Sequence, residues 1–259
     1  MIGRLKEIYA YREMIFSLVR RDLKGRYKGS VLGFLWTFLN PLFQLIVYTM
    51  VFSTIMRAGI EDYYLFLFVA LIPWIFFSTS LGGGSSCVLA QQDMVKKIYF
   101  PREVLPVSYV TSQFVNMLLS FIVIFAVLIF TQHNMNLSAL ACLPVVMTVE
   151  YVLALGFTMI MSAVTVYIRD AEYIIGIVTM AWKFLTPVMY SMDQVPEDIR
   201  WVFILNPMTY IITAYRDILY LAQIPKLETL VSAVIIGITL LIVGWGIFCK
   251  LQKHFVEEL

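Results

Sequence analysis

Residues 20 to 56 read RRDLKGRYKGSVLGFLWTFLNPLFQLIVYTMVFSTIM, a basic cluster followed at once by a long uncharged segment. The cluster holds five Lys or Arg residues, namely Arg20, Arg21, Lys24, Arg26 and Lys28. The uncharged part, Val31 to Met56, is 26 residues long, and about 20 apolar residues suffice for a helix to cross a bilayer. Because Lys and Arg flank spans on the cytoplasmic side, the pattern predicts a membrane protein with a cytoplasmic N-terminus.

Composition places the whole chain in the membrane class. Of its 259 residues, 61% are hydrophobic and 14% charged, against about 45–50% and about 25% in soluble domains. No short apolar region with a cleavage site stands before the basic cluster, so we expect the first span itself to direct insertion. The three cysteines, Cys87, Cys142 and Cys249, are scattered without metal-ligand spacing, so we expect neither a disulfide framework nor a metal site.

Hydropathy predicts an all-α polytopic protein with six transmembrane helices. The expected spans cover residues 32–56, 63–86, 105–131, 139–167, 172–191 and 229–249. With both termini cytoplasmic, 14 of the 19 Lys and Arg residues fall on the inner side and four fall outside. The four outer residues would be Arg57, Arg200, Arg216 and Lys226. We therefore expect an N-terminal segment, residues 1–30, and one membrane domain, residues 31–259.

The N-terminal segment carries apolar residues at helical spacing. They are Ile8, Tyr11, Ile15, Leu18 and Val19. This pattern predicts an amphipathic helix that lies along the inner leaflet, either as a topology anchor or as a docking element for a partner.

A second short apolar segment, Trp201 to Tyr215, stands between the fifth and sixth spans. Its 15 residues are too few to cross, and Asn206-Pro207 interrupts its helical pattern. We expect two short re-entrant helices in the outer leaflet, with a kinked surface helix as the alternative.

Catalytic and nucleotide-binding motifs are missing from the sequence. Residues 82–86, Gly-Gly-Gly-Ser-Ser, lack the Lys of a phosphate-binding loop and instead indicate close helix packing or a hinge. His133 and His254 lie in different loops with no second ligand nearby. An enzyme is therefore disfavoured, and any ATP-driven transport would need an ATPase on another chain.

Two ionisable residues fall within predicted spans, Glu150 in the fourth and Lys183 in the fifth. An intramembrane charge is costly and usually paired. Counting from the outer ends places both residues within one helical turn of the same depth. We therefore predict an ion pair between them, acting as a packing clamp or on a transport pathway.

The loop before the third span combines polar residues with apolar ones. Met94 and Ile98 stand four residues apart among Gln91, Gln92, Asp93, Val95, Lys96 and Lys97. A short amphipathic helix here could dock into a cytoplasmic partner, with Met94 and Ile98 as anchors.

Ordered landmarks along nearly the whole chain resemble the permease subunits of ABC-type polysaccharide exporters, which handle O-antigen, teichoic acid and capsular glycans. They are residues 21–33 (RDLKGRYKGSVLG), Trp36, Asn40-Pro41, Pro73-Trp74, Lys96-Lys97, residues 99–103 (YFPRE), Arg169-Asp170, residues 186–190 (TPVMY) and Asn206-Pro207-Met208. Lys183 departs from the family pattern, in which this span is usually apolar.

The resemblance implies a homodimeric channel in the bacterial inner or plasma membrane, driven by two copies of a separate ATPase that binds ATP and Mg. It identifies Gln91 to Ile98 as the coupling helix and Asn206, Pro207 and Met208 as the extracellular gate. It implies that Trp36, Phe38 and Tyr190 flank the glycan path. No cofactor and no nucleic acid are expected for this chain itself.

The basic residues Arg20, Arg21, Lys24 and Arg26 are candidates for binding the phosphate head group of a lipid-linked glycan, or anchors for topology alone. The expected function is export of a lipid-linked polysaccharide of O-antigen, teichoic acid, rhamnan or capsule type. The alternatives are an ABC-type exporter of drugs or small lipids, and a membrane glycan-modifying enzyme or its scaffold.

Overall fold

A computed structural model describes residues 2–26, 28–55 and 59–259. These ranges are mostly helical, with turns and short loops between the helices, and contain no strand. The end of the predicted first span at Met56, together with Tyr27 and Arg57, lies outside the described residues.

Thirteen α-helices occur in the described ranges. The first seven are α1 (Ile2–Ala10), α2 (Arg12–Gly25), α3 (Trp36–Thr49), α4 (Tyr63–Ser85), α5 (Gln92–Lys97), α6 (Val104–Phe130) and α7 (Leu137–Leu140). The others are α8 (Leu143–Tyr167), α9 (Ala171–Phe184), α10 (Arg200–Leu205), α11 (Pro207–Leu219), α12 (Leu227–Leu251) and α13 (Phe255–Glu258). A π-helical segment, Met50–Ile55, continues α3, and 3₁₀ turns precede α3 and α5 at Gly33–Leu35 and Leu89–Gln91.

Within the described residues, five helical segments are long and apolar enough to cross a membrane. They are Gly33–Ser53, Tyr63–Ser85, Val104–Phe130, Leu137–Tyr167 and Leu227–Glu258. These correspond to the predicted spans one, two, three, four and six.

The predicted fifth span, 172–191, is the exception, because α9 ends at Phe184. Its 14 residues give a helix of about 21 Å at 1.5 Å per residue, short of the roughly 30 Å hydrocarbon core. Pro187 disfavours helical backbone at the residue before it, and Thr186 to Tyr190 form turns instead. The prediction therefore overextended this helix by seven residues at its C-terminal end.

Helix α4 lies at the centre of the bundle and packs on α8, α6, α9, α3 and α11. It is apolar around its whole circumference, as expected for a helix surrounded by others. Its glycines allow close neighbours: a Cβ at Gly83 would lie 2.0 Å from the Tyr109 hydroxyl oxygen, and one at Gly84 would lie 2.5 Å from Thr158 Cγ2. Close helix packing, one of the two interpretations of the Gly-rich segment, thus holds at Gly83 and Gly84, whereas a Cβ at Gly82 has no neighbour within 4 Å.

The tightest helix pair is α8 with α12. A Cβ at Gly244 would lie 2.3 Å from the Gly156 carbonyl oxygen, and one at Gly156 would lie 2.7 Å from the Leu240 carbonyl carbon. Small residues let helix backbones approach closely, which is how membrane helices gain packing without a hydrophobic driving force.

The N-terminal segment forms two helices that break at Tyr11 rather than one. Their predicted apolar face packs against the protein, with Val19 buried and Ile8, Ile15 and Leu18 against the core. Helix α2 lies along α6. Arg4 fixes α1, because its Nη1 lies 2.8 Å from Glu103 Oε1 at the start of α6.

Candidate functional site

Two cavities with mixed polar and apolar walls meet at Arg26, just after α2. One, of about 230 Å³, lies between α3, α4 and α6 and is lined by Trp36, Asn40, Thr79, Gln113, Asn116 and Ser120 among others. The second, of about 330 Å³, lies between α2, α4 and α6 and is lined by Arg21, Asp22, Gln91 and Tyr109 among others. Arg26 lines both.

Hydrogen bonds hold the Arg26 guanidinium between the cavities. Its Nη2 donates to Asp22 Oδ2 at 2.7 Å, and its Nη1 donates to Gln113 Oε1 at 3.0 Å. Ser112 also donates to the Asp22 carboxylate. Gln113 and Ser112 of α6 thus attach Asp22 and Arg26 of the basic cluster to the helix bundle.

The four predicted head-group residues separate onto two surfaces. Arg21 and Arg26 line the second cavity, whereas Arg20 and Lys24 border a mostly apolar surface beside Phe16 and Phe34. Helical geometry explains the separation, since residues one apart on a helix do not face the same way.

The three predicted glycan-path residues do not share one cavity. Trp36 lines the cavity of about 230 Å³ between α3, α4 and α6 and donates from Nε1 to Ser30 Oγ at 3.1 Å. Phe38 packs edge-on against Phe34, with ring centroids 5.3 Å apart. Tyr190 lines a separate cavity of about 690 Å³ between the end of α3, the end of α9 and α10.

The predicted coupling segment contains α5, a helix of six residues. Val95 is buried, and Met94 is half-buried with its side chain packed against the core. Ile98 has extended backbone, with φ −128° and ψ 137°, and is exposed together with Tyr99. The expected Met94 and Ile98 helical pair is therefore not formed, and Ile98 with Tyr99 is the exposed apolar pair.

The predicted gate residues form the junction of α10 and α11. Asn206 caps α11, since its Oδ1 accepts from the Met208 amide at 3.0 Å and from Trp182 Nε1 at 2.9 Å. Its Nδ2 donates to the Leu185 carbonyl and to Thr186 Oγ1, both at 2.8 Å. Pro207 occupies the first helical position, where a missing N–H costs nothing. One amide thus joins α9, the following turns and α11.

The predicted ion pair between Glu150 and Lys183 is wrong. Glu150 Oε2 accepts a hydrogen bond of 2.7 Å from Tyr215 Oη, and Lys183 Nζ donates one of 2.8 Å to Tyr48 Oη. A similar depth in the membrane did not bring the two side chains together, because Glu150 faces α11 while Lys183 faces α3.

Arg216, which the charge count put in an outer loop, is buried in α11. Its Nη2 donates to the Val188 carbonyl at 2.7 Å, and its guanidinium carbon lies 3.6 Å from the centre of the Phe66 ring. Sequence reasoning missed Tyr215 and Arg216. Both residues lie in the amphipathic helix that begins directly after Asn206, and this position could have indicated that they face the protein interior.

Comparison with known proteins relates the chain to membrane transport. The family model described as ABC-2 type transporter matches residues 13–220. The chain belongs to the ABC-2 type transporter family. Members such as this one are membrane-embedded transport subunits rather than enzymes, and the ATPase is a separate chain.

The ABC-2 chain is similar over most or all of its length to named relatives. It is 36% identical over 261 residues to the O-antigen export system permease protein RfbA of Myxococcus xanthus, covering 100% of both chains. It is 32% identical over 247 residues to the protein of the same name from Klebsiella pneumoniae, covering 95% of both. The polysialic acid transport protein KpsM of Escherichia coli is 20% identical over 208 residues, 78% of this chain and 79% of that protein.

Proposed function

We propose that this ABC-2 chain is the permease of an exporter that moves a lipid-linked polysaccharide across the cell membrane. The observation that carries the proposal is the 36% identity, over the full length of both chains, to a permease named for O-antigen export. Cavities at the inner and outer ends of α3, both bordered by aromatic residues, support it, because aromatic rings can stack on the apolar faces of sugars.

The proposed arrangement has six spans with both termini in the cytoplasm. The distribution of Lys and Arg supports it, and α9 with the turns up to Tyr190 would make the fifth of the six crossings. Helices α1 and α2 would lie at the inner leaflet, while α10 and α11 would dip into the outer leaflet as gate helices. Arg216 and Asn206, buried at this end, would hold α11 in place.

Two copies of the chain would enclose the path. The outward faces of α3 and α9 are apolar and uncovered, with Phe43, Val47, Ile177 and Met180 exposed. Each copy would bind one ATPase subunit through the segment around α5, and that subunit would bind ATP and Mg. Arg26 and Arg21 would receive the phosphate-bearing head group, since guanidinium groups bind phosphate oxygens in bidentate geometry.

The test is purification of the tagged chain from its native membrane in mild detergent, with mass spectrometry of the proteins that co-purify. We expect a P-loop ATPase at equal stoichiometry, and we expect Ile98→Asp with Tyr99→Asp to lose it. Leu137→Asp, an equally exposed apolar site at the other end of the bundle, is the matched control.

Export is measured in parallel as surface glycan in a deletion strain complemented with each variant. Surface glycan should return with the unaltered chain and with Leu137→Asp, and fail to return with the double variant. Co-purification with a glycosyltransferase alone would refute the proposal, as would an ATPase stimulated by small hydrophobic compounds without any change in surface glycan.

A further inference from the structure

Lys183 carries a charge that nothing in the described part of the chain neutralises. Its side chain is half-buried near the C-terminal end of α9, and no carboxylate among the described residues forms an ion pair with it. Intramembrane ammonium groups are costly and usually pair or face a water-filled space. An uncompensated one is therefore a candidate for binding an anion.

Tyr48 positions the ammonium without neutralising it. Its hydroxyl oxygen accepts from Lys183 Nζ at 2.8 Å, and the Nζ lies 4.3 Å from the centre of its ring. Both contacts stabilise a cation and add no negative charge. A lysine ammonium has three N–H donors, so two stay available for a ligand.

A polar line on α3 leads to this position. Asn40, Gln44 and Tyr48 follow each other at four-residue spacing on one helix face, and Gln44 Nε2 donates to Asn40 Oδ1 at 3.3 Å. Amide side chains are not stable against lipid tails unless their hydrogen bonds are satisfied. The line begins at the cavity between α3, α4 and α6, which Asn40 lines, and ends at Lys183.

The outer cavity begins one helical turn beyond the pair. Phe52 follows Tyr48 by four residues and lines this space of about 690 Å³ with Tyr190 and Phe203, whereas Tyr48 and Lys183 do not line it themselves. Its walls are largely aromatic and apolar. An aromatic-lined space with a cation about one helical turn away suits a sugar ring that bears an acidic group.

We propose that Lys183 and Tyr48, with the adjoining outer cavity, form a subsite for acidic sugars, which bear a carboxylate or a phosphate. The proposal rests on the polysaccharide export proposed above and deepens it. Lys183 binds the anionic group, Tyr48 holds the ammonium in place, and the aromatic side chains stack on the sugar ring. The subsite makes the exporter select acidic glycans over neutral ones.

The test measures binding to the permease with its co-purified ATPase in nanodiscs of zwitterionic lipid. The probes are oligosialic acid and maltooligosaccharides of equal length, at low and high salt. We expect the acidic probe to bind about tenfold more tightly, as one added charge-assisted hydrogen bond would give. Salt should reduce this preference, because it screens exposed charges.

Variants of Lys183 and Tyr48 test whether these two residues cause the preference for the acidic probe. Lys183→Met should abolish the preference, Lys183→Arg should keep most of it, and Tyr48→Phe should reduce it. Lys226→Met removes an exposed cation elsewhere and is the matched control, which should keep the full preference. Size-exclusion profiles and thermal unfolding establish whether each variant is folded. If Lys183→Met does not fold, the comparison of the unaltered chain with Lys183→Arg and Tyr48→Phe replaces it.

The opposing outcomes are distinct. Equal binding of both probes by the unaltered complex would overturn the acidic subsite and leave the export function standing. Binding of neither probe, with no surface glycan lost in the deletion strain, would overturn both. A preference unaffected by Lys183→Met, combined with loss of stability of that variant only in phosphatidylglycerol nanodiscs, would assign Lys183 to a lipid phosphate and overturn the subsite.

Discussion

Tyr215 of α11 donates a hydrogen bond of 2.7 Å to the carboxylate of Glu150, which is fully buried in the middle of α8. The other carboxylate oxygen of Glu150 has no hydrogen-bond partner among the described residues. The next residue, Arg216, donates to carbonyls of the turns that follow α9. Two adjacent residues thus attach the proposed gate helix to two different parts of the bundle.

We predict that Tyr215→Phe destabilises the protein by about 1–3 kcal/mol, because it leaves a buried carboxylate without any donor. Unfolding in detergent, followed by tryptophan fluorescence, measures the change. Glu150→Met combined with Tyr215→Phe should recover most of the lost stability, since removing both polar partners costs far less than removing one. A double variant less stable than Tyr215→Phe alone would contradict this account.

We predict that Asn206→Ala lowers both stability and export. Loss of the helix cap alone costs about 1 kcal/mol, and Trp182 Nε1 and Thr186 Oγ1 also lose a partner. Asn206→Asp keeps the accepting oxygen but not the donors, so its effect should be intermediate. Surface glycan and thermal unfolding are measured together, and equal behaviour of the two variants would exclude a role for the donors.

We predict that Gly244→Ala separates α8 from α12, because its Cβ would lie 2.3 Å from the Gly156 carbonyl oxygen. Overpacking of this kind costs about 1–3 kcal/mol. Gly246→Ala is the matched control: a Cβ there has no atom within 4 Å, and alanine favours helix over glycine by roughly 0.5–1 kcal/mol. The two unfolding temperatures should move in opposite directions.

We predict that Arg4→Gln releases α1 from the bundle. Arg4 Nη1 lies 2.8 Å from Glu103 Oε1, and Gln252 Nε2 donates to the same oxygen at 2.7 Å. Because Arg4 is partly exposed, we expect faster amide hydrogen exchange in residues 2–10 rather than global unfolding. Lys6→Gln, on the same exposed helix, should leave the exchange unchanged.

The sequence predicted helices correctly where a long apolar segment is enough to define them. The five candidate spans agree with the predicted ones, and the two short helices on either side of Asn206 were expected from Pro207. The predicted C-terminal end of α9 was wrong, because Pro187 disfavours helical backbone before it although the residues around it are apolar. The partners of Glu150, Lys183 and Arg216 could not be predicted, since they depend on which helix faces which.

The sequence by itself determined the class of protein, the helical segments and the family, because apolar length, basic flanking residues and ordered landmarks are properties of the chain read in one dimension. Only the tertiary structure decided that Arg26 joins two cavities, that Arg216 is buried, and that Lys183 lies on Tyr48 beside an aromatic cavity. The physical reason is that lipid solvates every apolar helix face about equally. The rotation and neighbours of each helix are therefore set by packing and by the few polar side chains that need partners.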